Sequence, residues 1–122
     1  MTDALTEKII GAAIEVHRHL GAGLLESIYE EALCIEFDLR GISYARQVDV
    51  DVVYKGHVLK GQRIDLLVEN EVVLELKAVT HPNMDLIMAQ VLSYLYASKL
   101  QRGLIINFNV PRLVDGVKRV SA

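Results

Sequence analysis

The sequence predicts an α/β fold in which two N-terminal helices, a three-stranded meander, a crossover helix and a further strand share one mixed sheet. Three observations predict it. Apolar residues recur first at helical spacing, then at alternate positions, and the elements so marked run ααβββαβ. The last helical stretch stands between two strand-like runs, so it reads as a crossover that sets the strand after it parallel to the third. The 122 residues are 52% hydrophobic and show no repeat, low-complexity stretch or linker, which fits one domain over 1–122 with one core.

Ile9, Ile10, Ala13, Val16 and Leu20 mark a first helix from Thr6 to Leu20, closed by Gly21-Ala22-Gly23. Leu25, Ile28, Tyr29, Ala32, Ile35 and Phe37 mark a second from Leu24 to Arg40, with Gly41 placed for a left-handed cap. From Tyr44 to Tyr54, Val48, Val50 and Val52 alternate with Gln47, Asp49 and Asp51, the pattern of a half-buried strand. Lys55-Gly56 turns the chain into a second strand, His57 to Val68, and Glu69-Asn70-Glu71 turns it into a third. That third strand, Val72 to Val79, puts Val72, Leu74, Leu76 and Ala78 on one face and Val73, Glu75, Lys77 and Val79 on the other. His81-Pro82-Asn83 breaks the run and caps a third helix, which has Asp85 in its first turn and ends near Lys99. Gln90 and Tyr94, four apart, share one face of it. Gly103 to Asn109 is a short buried strand, and Val117 to Val120 is at most one more.

Composition narrows the function classes. The net charge of −3 lacks the basic signature of a protein that binds nucleic acid by phosphate neutralisation alone, so such a contact needs a local basic patch or bound cations. No apolar run is long enough for a membrane span, and Met1 to Leu20 has no signal-peptide pattern, so a soluble, cytoplasmic protein without membrane contact is expected. Cys34 is the only cysteine; it excludes an internal disulfide and a cysteine-rich zinc site, and reads as a small core residue. His17 and His19 point apart on the first helix, while His57 and His81 lie far off, so a histidine metal cluster is not expected. No serine stands in a nucleophile elbow, and Gly21-Ala22-Gly23 does not follow a strand, which removes phosphate-loop and dinucleotide readings.

What remains is an acid and an ammonium inside an apolar strand. Burying Glu75 and Lys77 is costly unless they are paired or serve a metal. Asp65 on the adjacent strand supplies a second carboxylate. Two carboxylates hold a hard divalent cation through oxygen, and a nearby lysine orients water and offsets developing charge, which is what phosphodiester hydrolysis requires. Asp65 followed by Glu75-Leu76-Lys77 resembles the PD-(D/E)xK nuclease signature, with Ile64 where the signature's proline would stand. Gly23-Leu24-Leu25-Glu26-Ser27-Ile28-Tyr29 reads G-x-x-E-x-x-Y, and Gly23 to Asn109 resembles the bacterial GxxExxY family grouped with those nucleases. Gln90 to Tyr94 resembles the Q-x-x-x-Y motif of RecB-type nucleases.

The resemblance implies a restriction-endonuclease-like core and a Mg²⁺- or Mn²⁺-dependent nuclease acting on DNA. It implies Asp65 and Glu75 as the principal metal ligands, with the Leu76 carbonyl and Glu26 as further ones. Lys77 would position the attacking water, and Gln90 and Tyr94 would support the site or meet the phosphate backbone. So short a chain offers limited grip on a duplex, so a homodimer or a partner protein is expected, with Arg46, Lys60, Arg63, Lys99 and Arg102 as a candidate basic rim. Each residue alone has an ordinary reading: Asp65 as a strand-end acid, Glu75 and Lys77 as a surface ion pair, Glu26 as a helix-dipole acid, Gln90 and Tyr94 as a wetted helix face. Their joint order and spacing favour the site. The rival is a catalytically silent nuclease-fold module that binds a protein partner.

Overall fold

The Asp3 side chain accepts the Thr6 amide at 2.8 Å, and α1 runs from there over Ala4–Leu20. Residues 3–122 are described in this computed structural model. The second helix, α2 (Glu26–Arg40), ends at Gly41, whose φ of 70° and ψ of 28° form the left-handed cap expected of it. The meander follows as β1 (Tyr44–Tyr54), β2 (His57–Val68) and β3 (Val72–Lys77). Asn83 caps α3 (Met84–Ser98) by accepting the Leu86 amide at 3.2 Å. β4 (Arg102–Asn107), a short 3-10 turn at Leu113–Gly116 and β5 (Val117–Ser121) complete the chain.

The five strands lie in the order β1-β2-β3-β4-β5. β3 and β4 are parallel, with Leu74 opposite Leu104 and Lys77 opposite Asn107, as the crossover by α3 requires. The other neighbours are antiparallel. α1 and α2 cover one face, where Ile9, Val16, Tyr29, Leu33 and Phe37 pack on Leu66, Leu74, Leu76, Leu104 and Phe108. α3 covers the other, where Ile87, Val91 and Leu95 pack on Ile64, Val73 and Ile105. No helix among the described residues is long and apolar enough to cross a membrane.

Two expectations hold only in part, for identifiable reasons. In β1 the alternation is met at Val48 and Val50, which pack under α3 while Gln47 and Asp49 are exposed, but residues 51–63 are exposed on both faces of the β1–β2 ribbon. β3 is only six residues long and its ladder to β2 ends at Leu66↔Leu74, so the outer half of the ribbon has no third strand beside it. In α2, Leu25, Ile28 and Ile35 are exposed, whereas Tyr29, Leu33, Cys34 and Phe37 are buried. The helix is turned so that Glu30 also faces inward at 8% exposure.

Candidate active site

β2 leaves β3 at Asp65. The ladder pairs Leu66 with Leu74 and stops, and the Asp65 carboxylate takes up the Leu76 amide at 2.8 Å where the next backbone partner would fall. At the same point the strands change sides. Leu66 packs under α1 and α2 while Ile64, two residues earlier, packs under α3. Asp65 therefore sits in the fork between the main sheet and the ribbon. Its carboxyl is raised above the ordinary range by burial, against the pull of the Leu76 amide.

Glu75 is 5% exposed near the end of β3 and shares the α3 face with Val73 by the period of two. Lys77, two residues on, reaches Glu75 Oε2 at 3.3 Å. The other oxygen, Glu75 Oε1, is buried with no hydrogen-bond partner among the described residues. Burial, and next the neighbouring Asp65 charge, push the Glu75 carboxyl up to about 7. On α3, Gln90 donates to the Tyr94 hydroxyl at 2.9 Å, and Tyr94 is 2% exposed. The phenol is raised by burial and by the Glu75 charge, so this helix face looks onto Glu75 rather than onto water.

Glu26 comes from a different element, the exposed first turn of α2. Desolvation and then the Asp65 charge raise its carboxyl, so the two acids sense each other across the fork. Tyr29, the last residue of the G-x-x-E-x-x-Y stretch, fixes where Glu26 begins. Its hydroxyl donates to the Gly21 carbonyl at 2.5 Å and accepts the Leu24 amide at 3.2 Å, and its ring stacks on Phe108 at 4.5 Å. Gly23, with φ of 97°, lets the loop bend beneath that hydroxyl.

Several supporting residues carry no motif and escape sequence reasoning. Glu30 accepts from Arg46 Nε at 3.1 Å and Nη2 at 3.0 Å on one oxygen, and from Gln47 Nε2 at 3.0 Å on the other. Asn107, buried at the end of β4 opposite Lys77, holds the chain leaving β3: its amide donates to the Val79 carbonyl at 2.9 Å and accepts the Val79 amide at 3.1 Å. A lone Asn within the apolar run Gly103 to Phe108 is the signal that could have found it.

Four of the five residues of the expected basic rim are paired. Arg46 is engaged by Glu30, Lys60 by Asp51, Arg63 by Asp49, and Arg102 by Asp3 and Glu71, whereas Lys99 serves the α3 cap with its backbone. A cleft of about 410 Å³ lined by Gln62, Leu86, Ala89, Gln90 and Ser93 opens between the ribbon and α3. A larger cavity of about 550 Å³ lies away at the Glu69 and Glu71 end of the sheet and holds none of Glu26, Asp65, Glu75, Lys77, Gln90 and Tyr94.

Among the described residues, no three His, Cys, Asp or Glu side chains are gathered into a metal cage. The donor set still suits a hard cation: Asp65 and Glu75 offer carboxylate oxygens, and Glu75 Oε1 is a buried acceptor that no group among the described residues satisfies. An incomplete oxygen shell is also what an ion that retains several waters requires.

The family model described as the PD-(D/E)XK nuclease superfamily matches residues 3–120. The mixed α/β architecture, three helices and one five-stranded sheet, is that of the restriction-endonuclease-like fold. The crystal structure of SSO0001 superposes with a TM-score of 0.50 at 18% identity, covering 99% of this chain and 79% of that one, a likeness of fold alone. No curated protein matches the sequence.

Proposed function

The chain belongs to the PD-(D/E)XK nuclease superfamily, and from that premise we propose that it is a Mg²⁺- or Mn²⁺-dependent nuclease that hydrolyses phosphodiester bonds of DNA. Nucleases of this superfamily typically use divalent metals. One observation carries the reading. Glu75 is buried beside Asp65 and Lys77 with one oxygen unpartnered, a costly arrangement that a bound cation would relieve. In the same reading the G-x-x-E-x-x-Y stretch makes the chain a GxxExxY-type member of the superfamily.

Asp65 and Glu75 would hold the ion, with the Leu76 carbonyl and Glu26 completing the protein's share. The ion would supply Lewis acidity and a water acidified toward neutral pH. Asp65 is held for this by the Leu76 amide, which leaves its second oxygen free of that bond. Lys77 orients water for in-line attack on phosphorus and offsets negative charge as the bond to the leaving oxygen breaks. Gln90 and Tyr94 wall the Glu75 side against water and present an amide to the cleft beside α3.

Calorimetric titration of the wild type and Asp65→Asn with Mg²⁺ and Mn²⁺, followed by cleavage assays on single- and double-stranded DNA, tests the reading. Metal binding and cleavage should vanish together in the variant. Absence of both in the wild type would sink it.

A second reading, a silent nuclease-fold module that binds a protein partner, is favoured by the ribbon tip. Val53, Tyr54 and Val58 are 66%, 59% and 54% exposed there, an apolar surface suited to protein contact. The same surface supports a homodimer of the nuclease, which would extend its grip on a duplex. Asp65→Asn separates the readings, because the module would keep its biological effect.

A further inference from the structure

We propose that Gln47 is a positioning residue of this site: seated opposite Asp65 and bonded to Glu30, it fixes the Asp65 carboxylate for the divalent cation. The inference rests on reading Asp65 and Glu75 as the cation's ligands. Gln47 has a φ of 51°, a conformation unfavourable for a residue with a side chain unless its surroundings impose it. The other such residues are Lys55, Glu69, Asn70 and Lys99, which lie in the two meander turns and at the α3 cap. Gln47 alone of this set lies inside a strand.

The location is specific. Arg46 pairs with Leu66 and Val48 with Ile64, so Gln47 and Asp65 face each other as the unpaired step between them. Here β1 changes sides together with β2, since Arg46 reaches α2 through Glu30 whereas Val48 packs in the α3 cluster. The left-handed step is thus what lets the ribbon twist out of the sheet at the fork that holds Asp65.

The side chain is also committed. Gln47 Nε2 donates to Glu30 Oε1 at 3.0 Å, and Glu30 is immobilised by two bonds from Arg46 to its other oxygen. Glu30 lies one turn beyond Glu26 and is one-tenth exposed at its side chain, so it is a fixed anchor on α2. Across the ladder Gln47 stands at the step opposite Asp65, so the anchored residue and the acid share the fork. The bonds Arg46–Glu30–Gln47 thus tie β1 to α2 at the step that faces Asp65. In this it resembles the outer contacts that orient ligands in metal sites, whose loss commonly costs ten- to a hundred-fold in affinity.

The test titrates Mn²⁺ alone into the wild type, Asp65→Asn and Gln47→Gly by calorimetry, with thermal unfolding of each. Glycine accepts the positive φ, so Gln47→Gly should keep the fold and melting temperature while its Mn²⁺ dissociation constant rises about ten-fold or more. Its cleavage rate at saturating Mn²⁺ should return to within two-fold of wild type, a split that a residue acting on the reacting atoms would not give. Should the glycine variant unfold, Gln47→Asn carries the same comparison, since asparagine tolerates this backbone and its shorter amide loses Glu30. An unchanged Mn²⁺ constant in a folded variant, with Asp65→Asn abolishing binding, overturns the role of Gln47 and leaves the metal reading intact. No Mn²⁺ binding by the wild type, or equal binding by Asp65→Asn, overturns both.

Discussion

Asp65 Oδ2 accepts the Leu76 amide at 2.8 Å, a side chain standing in for the strand that has just turned away. The bond does two things. It satisfies a backbone donor that would otherwise be orphaned at the fork, and it holds the acid beside the strand that carries Glu75 and Lys77. A residue read as a metal ligand is therefore also part of the sheet, and substitutions can separate the two duties.

Asp65→Asn retains an oxygen for the Leu76 amide, whereas Asp65→Ala does not. The alanine variant should lose about 1–3 kcal/mol of stability through the unsatisfied buried donor. The asparagine variant should lose less than half of that while abolishing metal binding and cleavage. Urea unfolding beside Mn²⁺ calorimetry checks this, and equal stability of the two variants would remove the structural duty of Asp65.

Glu75 makes the metal-free protein sensitive to pH in a direction opposite to most carboxylates. Its folded carboxyl is raised to about 7 from an ordinary 4.5, so between those values the folded state keeps a proton that the unfolded chain has lost. Its stabilising contribution is complete below about pH 4.5 and falls away as pH rises through about 7. Glu75→Gln has no such proton to lose. Relative to it, the wild type without metal should weaken by roughly 2–3 kcal/mol from pH 4.5 to pH 8, and millimolar Mg²⁺ should restore part of the loss at pH 8. Parallel pH profiles of urea midpoint for the two proteins would show that the burial of Glu75 carries no such cost.

The acid–acid–lysine set was readable because it breaks a rule of its strand: Glu75 and Lys77 interrupt a run of Val and Leu, and the period of two places them together. The element order was readable for a similar reason, since capping and turn residues such as Gly41 and Asn83 mark the ends. Gln47 and Glu30 were not. Nothing in Gln47 announces a positive φ, because the left-handed step is imposed by the divergence of two strands, and Glu30 looks like one more acid on a polar helix face. The exposed outer ribbon was misread because alternation records two unlike faces and cannot say whether anything covers the apolar one.

Tyr29 is expected to act on the site from a distance. Tyr29→Phe keeps the stack on Phe108 and deletes the hydroxyl that joins the Gly21 carbonyl to the Leu24 amide. Loss of two bonds at a partly buried hydroxyl should cost about 1–2 kcal/mol and raise amide exchange in residues 21–25. Hydrogen-exchange mass spectrometry reads this directly. Protection unchanged across that loop would show that the motif tyrosine is held for its ring alone.

Val52 pairs with Leu59 and Val53 with Val58, so apolar pairs lie on both faces of a two-stranded arm that no other described residue covers. Such a ribbon is marginal in water by itself, and two of its cations are already paired, Lys60 with Asp51 at 2.7 Å and Arg63 with Asp49 at 3.4 Å, while Lys55 lies 5.5 Å over the Tyr54 ring. It is thus poorly suited to gripping phosphates and better suited to a second copy of the same arm, where the apolar faces on both sides become buried. Sedimentation should give a dimer for the wild type and a monomer for Val53→Asp/Val58→Asp, with Mn²⁺ binding at Asp65 and Glu75 unchanged and affinity for duplex DNA reduced. A wild type that stays monomeric at its highest soluble concentration would leave the arm for a different protein and transfer the expectation to the silent-module reading.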